Sequence, residues 1–397
     1  MKTVYVDNNA TTAIAPEVLE VMQPYFTTDY FNPSAMYEAA KSSAAAIQRA
    51  RETISRCLGG FDPEQILFTA SATESNNSAL FGTIQANPER RHIITTAIEH
   101  PSVLEVCKEL QRRGLDVDFL PVDRQGQLAL DDYVKALRSD TLLVSIMLAN
   151  NETGVCYPVA ELSRIAKETS PKIIVHTDAT QAIGKLTVDL QTDLKHVDLL
   201  SFSGHKLHAP KGVGALFVRR GTRWRPFILG GHQEQGRRAG TENVPYIVGL
   251  AKACELAVAS VADEQTRVRS LRDRLQKVLE ERIPALEVNG REAVRLPNTL
   301  NLSIHGIEGE AILYELSRYG ICASSGSACT SDSLEPSHVL KAMAVPFSAI
   351  HGSLRISLSR YNDEEDIERI IATLPGIVAN LRKLSPYWDD NRNCLDL

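Results

Sequence analysis

From about residue 34 to 220 the chain alternates short apolar runs with amphipathic segments. The segment from Ser34, SAMYEAAKSSAAAIQRARETISRCL, reads as a helix that Ser34 can cap and that Gly59-Gly60 closes. Seven runs rich in β-branched and aliphatic residues follow: QILFT, HIITTAI, LDVDFLPV, TLLVSIML, KIIVHTDA, VDLLSFSG and VGALFVRR. Between them lie the helical patterns TESNNSALFGTIQA, PSVLEVCKELQRRG, DDYVKAL and PVAELSRIAKETS. The second of these begins with Pro and ends with Gly, as helices tend to. Continuous apolar strands between helices predict an α/β fold with a mostly parallel sheet covered on both faces. Beyond about residue 260 the texture changes to a long charged helix, DEQTRVRSLRDRLQKVLEERI, then LPNTLNLSIHG, EGEAILYELSRYG, SLRISLSR and DEEDIERIIATLPGIVANLRKL. This reads as a second, α+β unit, and the final YWDDNRNCLDL as a polar tail.

The length of 397 residues suits a large domain plus a smaller one. With 43% hydrophobic and 23% charged residues, a core is easily built and disorder is not indicated. The net charge of −6, with no basic block, argues against nucleic acid or an anionic membrane as partner. No apolar stretch approaches the roughly 20 residues that span a bilayer. The opening MKTVYVDNNATT has acid and amides where a secretory signal would be apolar, so a reduced, cytoplasmic setting is expected. Cysteines 57, 107, 156, 254, 322, 329 and 394 show no CxxC pair and no metal-ligand spacing.

In a parallel sheet, ligands sit beyond the carboxyl ends of the strands. Five of those ends carry chemistry. After QILFT, the small residues of ASATES, with Ala72 and Thr73, open a helix whose free N–H groups can cradle phosphate. After HIITTAI stands His100, a general base or a lid for a flat ligand. After TLLVSIML, Asn150 and Asn151 offer amides. After KIIV, Asp178 lies where a strand leaves the core and needs a cationic or protonated partner. After VDLLSF, Ser203, Gly204, His205 and Lys206 present an amine whose charge is expected to be disfavoured, suited to a Schiff base. Taken singly, each has an ordinary structural reading: a helix cap, a satisfied histidine, a turn, a salt bridge, a snorkelling lysine. Taken together they match one cofactor, pyridoxal 5′-phosphate, whose aldehyde needs Lys, ring nitrogen Asp and phosphate a helix N-terminus.

At this point the chain resembles the cysteine desulfurases, most closely the nitrogen-fixation (NifS) type. The motifs are YVDNNATT, FNPSA, TASATES, TAIEHPSV, MLANNETG, HTDATQAIGK, SFSGHKLHAPKGVGAL, GGHQEQGRRAGTEN, LPNTLNLS, SSGSACTSDSLEPSHVL and HGSLRISLSRY, in order over nearly the whole chain. The resemblance implies a fold-type I PLP-dependent homodimer with a seven-stranded large domain over 15–260. Residues 1–14 and 261–397 would form the small domain carrying the catalytic Cys loop. It implies Lys206 as the Schiff-base lysine, Asp178 on the pyridinium nitrogen and His100 stacked on the ring. Asn151 and Gln181 would bond the phenolic oxygen. Ala72, Thr73, Ser203 and His205 would line the phosphate, with Thr241 reaching the neighbouring subunit's phosphate. Arg355 would clamp the substrate carboxylate, aided by Asn32 and Asn151. Two positions depart from the family pattern: Phe31 replaces a Gly and Tyr37 a His, which bears on the mouth of the site.

The resemblance also explains the run ASSGSACTS at 323–331, where Cys329 stands among small polar residues. In this family type L-cysteine would become L-alanine, its sulfur passing to Cys329 as a persulfide and then to an iron–sulfur scaffold protein, for nitrogenase or for housekeeping clusters. A soft backbone lets one thiol serve two positions. The thiolate is the nucleophile, and His100 is the candidate to lower its pKa. Cys322, in YGICA, is expected to be buried and inert, and Cys394 incidental. Selenocysteine lyases share the scaffold but can dispense with the cysteine. A retired enzyme acting as a sulfur-trafficking scaffold would lose Lys206 or Asp178, and both are present.

Overall fold

The protein is described by a computed structural model, which covers residues 2–325, 336–389 and 394–395. The strands in chain order are β1 (Val4–Tyr5), β2 (Ile66–Thr69), β3 (His92–Thr96), β4 (Asp116–Leu120), β5 (Thr141–Ser145), β6 (Ile174–Asp178), β7 (Leu199–Ser203) and β8 (Gly214–Val218), then β9 (Leu286–Val288), β10 (Thr299–Ile304), β11 (Ile321–Cys322) and β12 (Ser353–Ser357). The helices of the first part are α1 (Pro16–Met22), α2 (Pro24–Thr27), α3 (Ala40–Cys57), α4 (Ala72–Ala86), α5 (Pro101–Arg112), α6 (Leu130–Ala136), α7 (Val159–Thr169) and α8 (Val244–Ala259).

Strands β2 to β8 form one sheet in the order β2-β8-β7-β6-β5-β3-β4. Only β8 runs against its neighbours β7 and β2, so the sheet is mostly parallel, as the apolar runs predict. Helices cover both faces, and β2, β3, β5, β6, β7 and β8 are buried along their full length. Each fully buried Leu, Ile or Phe in these runs contributes on the order of 1.5–3 kcal/mol. Because β2 points the same way as the parallel strands, Thr69, Thr96, Ser145, Asp178 and Ser203 end on one edge of the sheet.

A second sheet, β12-β10-β9, is antiparallel and packs against the helices Arg269–Arg282, Gly309–Arg318 and Glu364–Arg382. Its apolar core is separate from that of the large sheet and takes in Val4 and Val6 from the N-terminus, where β1 pairs in parallel with β11. Among the described residues no single helix is long and apolar enough to cross a membrane.

Three expectations are corrected. Ser34 caps nothing: α3 begins six residues later at Ala40, after a turn in which Asn32 Oδ1 accepts from Ser34 N–H at 3.0 Å. In the same stretch Phe31 stacks on Tyr30 (4.7 Å) and meets Tyr37 edge-on (6.1 Å). Cys322 is half-buried on the two-residue β11, too short an element to hide it. The tail is not simply polar: Trp388–Asp389 pairs with Cys394–Leu395, and Arg382 lies 3.6 Å over the buried Trp388 ring.

Candidate active site

Beyond that sheet edge lies a cavity of about 390 Å³. Ala72, Thr73, His100, Asn151, Asp178, Gln181, Ser203, His205, Lys206 and Arg355 all line it. Asn32 and Thr241 do not; both are exposed elsewhere on this chain. Cys329 lies outside the described residues.

At the end of the cavity where α4 begins, Ser71 is the N-cap and Glu74 reaches back across the first turn. Ser71 Oγ accepts from Glu74 N–H at 3.1 Å, and Glu74 Oε2 accepts from Ala70 N–H at 2.8 Å. These two bonds keep the first turn of α4 from fraying and leave its inner N–H groups for a ligand. Strand β8 passes so close that a side chain at Gly214 would meet Phe202 O and Ser71 C, both at 2.7 Å, so only glycine fits beneath this turn. Arg238 forks onto Glu74 at 2.8 and 3.1 Å, tying the segment before Thr241 to the same turn. Burial, and then Lys206 nearby, lowers the His205 pKa to about 4, so His205 is a neutral ring with Nδ1 3.1 Å from Thr11 Oγ1.

Lys206 ends the short turn Gly204–Lys206 that follows β7. Its Nζ donates to the carbonyls of Asn9 and Ala10, both at 2.6 Å. Asp178, nearly buried, closes β6; its Oδ2 accepts from Asn76 Nδ2 at 2.7 Å and its Oδ1 from Thr180 N–H at 2.9 Å. His100 is the N-cap of α5, and its Nδ1 accepts from Ser102 N–H at 3.1 Å. Burial holds its pKa below the usual value. Gln181 Nε2 donates to Asn9 O at 3.0 Å, which leaves its second hydrogen available, and Gln181 Oε1 is buried without a partner.

Arg355 comes from the other unit. It sits mid-strand on β12, opposite Asn301, and is 2% exposed. Nη2 pairs with Asp7 Oδ1 at 2.8 Å and Nη1 donates to Asn151 O at 3.1 Å. Its Nε is buried without a partner. Nη1 and Nη2 each carry a second hydrogen, so a guanidinium so anchored can receive a carboxylate as a fork.

The strand-end reading missed several residues. Asn9, Ser102, Glu152 and His338 line the cavity, and Asn76 stands behind Asp178 and Ser102. Asn76 was findable, because it lies four residues after Ala72 and so on the same helix face. Glu152 was not. Its Oε2 accepts from Ser337 Oγ at 2.5 Å across 185 residues, and burial raises its pKa to about 7.

The donor set suits pyridoxal 5′-phosphate. It supplies N–H groups for a phosphate, an amine for an aldehyde, a held carboxylate for a ring N–H and unsatisfied amide and guanidinium groups for ring and substrate oxygens. The class-V aminotransferase family model matches residues 4–370. The cysteine desulfurase NifS of Azotobacter vinelandii is 49% identical over 391 residues, 98% of this chain and 96% of that protein. A solved NifS-like protein superposes with a TM-score of 0.90 at 39% identity, over 96% of this chain and 100% of its own. SspA, solved in complex with cysteine, gives 0.79 at 35% identity, over 91% of this chain and 100% of its own. Alike in sequence along its length and in the arrangement of its two sheets, the chain belongs to the class-V aminotransferases and, within them, to the cysteine desulfurases.

Proposed function

We propose that this protein is a cysteine desulfurase that converts L-cysteine to L-alanine and passes the sulfur, by way of Cys329, to an acceptor. The observation that carries the reading is the convergence of Lys206, Asp178 and Arg355, from two units with separate cores, on one cavity. Bound pyridoxal 5′-phosphate supplies an aldehyde carbon and an electron-accepting ring. Arg355 holds the substrate carboxylate and so aims the substrate's Cα at the Lys206 side of the cavity. The Lys206 amine takes the Cα proton and can return it elsewhere. Asp178, fixed by Asn76 and Thr180, holds a proton at the ring nitrogen. Asn151 and Gln181 face the phenolic oxygen; Ala72, Thr73, Ser203 and His205 face the phosphate. Cys329, as thiolate, attacks the substrate sulfur: an S–S bond forms and the S–Cβ bond breaks. Cysteine and the enzyme thiol thus become alanine and the enzyme persulfide, with no outside oxidant.

Thr241, away from this chain's cavity, fits the phosphate of a partner subunit in a homodimer. The large unit is read as 15–260, and the small one as 1–14 with 261–397; the separate core that includes Val4 and Val6 supports that division. A cytoplasmic setting and an iron–sulfur scaffold as acceptor, in nitrogenase maturation, accord with the likeness to the Azotobacter NifS.

The test measures sulfide and alanine from L-cysteine in the presence of a reductant. Wild type is expected to release them in equal amounts, and Cys329→Ala to retain its cofactor while losing both. Full activity in Cys329→Ala would replace the persulfide step with direct elimination. Arg355→Lys is expected to raise KM for cysteine by about tenfold or more, since an ammonium cannot bond Asp7, Asn151 and a carboxylate in one plane. Steady-state kinetics check this; an unchanged KM would remove Arg355 from substrate binding.

A further inference from the structure

Helix α4 buries Asn76 completely, one turn beyond Ala72. A side-chain amide carries two hydrogens on nitrogen, and both are used here. Nδ2 donates to Asp178 Oδ2 at 2.7 Å and to Ser102 Oγ at 2.8 Å. Ser102 Oγ lies 2.8 Å from His100 Nδ1, and the Ser102 N–H reaches that same nitrogen at 3.1 Å. Because Ser102 Oγ accepts from Asn76, its own hydrogen is directed onward to Nδ1. A ring nitrogen that accepts from two donors has no proton of its own. The neutral imidazole is therefore the Nε2–H form. Asn76 Oδ1 is buried without a partner, so this residue is held for what it donates. A carboxylate in its place would set a second negative charge against Asp178.

We propose that Asn76 is a positioning residue of the active site: its two donated hydrogens join the Asp178 carboxylate and, through Ser102, the His100 ring into one rigid unit, leaving Nε2 as the His100 nitrogen that exchanges protons with the cavity. The inference rests on the reading of that cavity as the cofactor and substrate site. The two groups joined lie on different elements, the end of β6 and the start of α5, and α4 is the element that touches both. The unit orients Asp178 by two donors, Asn76 and the Thr180 N–H. It also prevents His100 from turning Nδ1 toward the cavity.

The first arm of the test is NMR of protein labelled with 15N-histidine, without added cofactor and with it, using His100→Gln to identify the His100 signals. The Nε2–H pattern is expected, and Asn76→Ala is expected to move the Nδ1 resonance. An Nδ1–H pattern in the wild type, or an Nδ1 resonance indifferent to Asn76→Ala, overturns the proposal. The second arm compares Asn76→Ala, Ser102→Ala and the double variant in turnover of L-cysteine. Each single change is expected to lower kcat about tenfold with KM within about twofold, and the double to fall no further than the worse single. Effects that multiply, or that appear only in KM or in thermal stability, overturn it. If the wild type turned over no cysteine, the functional reading would fail while the NMR arm still decided whether the unit exists.

Discussion

Lys206→Ala is expected to lower turnover of L-cysteine by at least about 10⁴-fold. The side chain has two duties, and its loss ends both: it is the amine among the cavity residues that can join an aldehyde, and it is the base beside the substrate's Cα. It also anchors the N-terminal segment through the carbonyls of Asn9 and Ala10. Hydrogen bonds of this kind contribute about 0.5–1.5 kcal/mol each, so Lys206→Ala loses stability as well as chemistry. Lys206→Arg separates the two duties. A guanidinium still donates to both carbonyls but is never a free amine at working pH. We expect Lys206→Arg to unfold near the wild type and to be as inactive as Lys206→Ala. Borohydride reduction of the loaded protein, followed by digestion and mass spectrometry, is expected to mark the Lys206 peptide in the wild type and no peptide in either variant. Activity in Lys206→Arg above about 1% of wild type would show that the amine is not essential.

Glu234→Ala is expected to destabilise the protein by about 3–5 kcal/mol. Strand β2 is an edge of the large sheet, with backbone groups that no strand covers. Glu234 and Arg51 satisfy them: Phe68 N–H donates to Glu234 Oε2 at 3.0 Å, and Arg51 Nη1 donates to Ile66 O at 2.5 Å. The two side chains also bond to each other, and the Arg51 guanidinium lies 4.8 Å over the Phe68 ring. Arg51 is 7% exposed and Glu234 2%. Removing one partner leaves the other as a buried, uncompensated charge, which is why the effect is far larger than for surface pairs such as Lys108–Glu105. The arrangement holds Glu234 and Gln235 at positive φ, 50° and 59°, a conformation that outside glycine needs surroundings to impose it. The same segment leads through Arg238 to Thr241, so cofactor affinity should fall with stability. Denaturant unfolding, with equilibrium dialysis of pyridoxal 5′-phosphate, checks both. A loss under about 1 kcal/mol would mean that water replaces Glu234 at the edge.

Much of the site is legible in the sequence, for a topological reason. Parallel strands deliver their carboxyl ends to one edge, so Asp178, Ser203 and the residues after Thr69, Thr96 and Ser145 had to converge once the apolar runs were read as one sheet. Other features were hidden because they depend on contacts between distant segments. Nothing near Glu152 in sequence announces Ser337, and nothing near Asp7 announces Arg355. Helix α3 starts late, at Ala40, because the Ser34 N–H is held by Asn32 Oδ1 in a turn rather than opening a helix. The tail was misread because Trp388 takes its partner, Arg382, from the last helix.

Local pattern along the chain was enough for the mostly parallel sheet and for the lysine and aspartate at its strand ends, because period, run length and position after a strand are local properties of a chain. How the site is held came from packing between distant segments: Arg355 by Asp7, Asp178 by Asn76, His100 by Ser102 and the edge of β2 by Glu234. Such partners meet because buried polar groups must be satisfied, and which residue satisfies them is settled by packing rather than by neighbourhood along the chain.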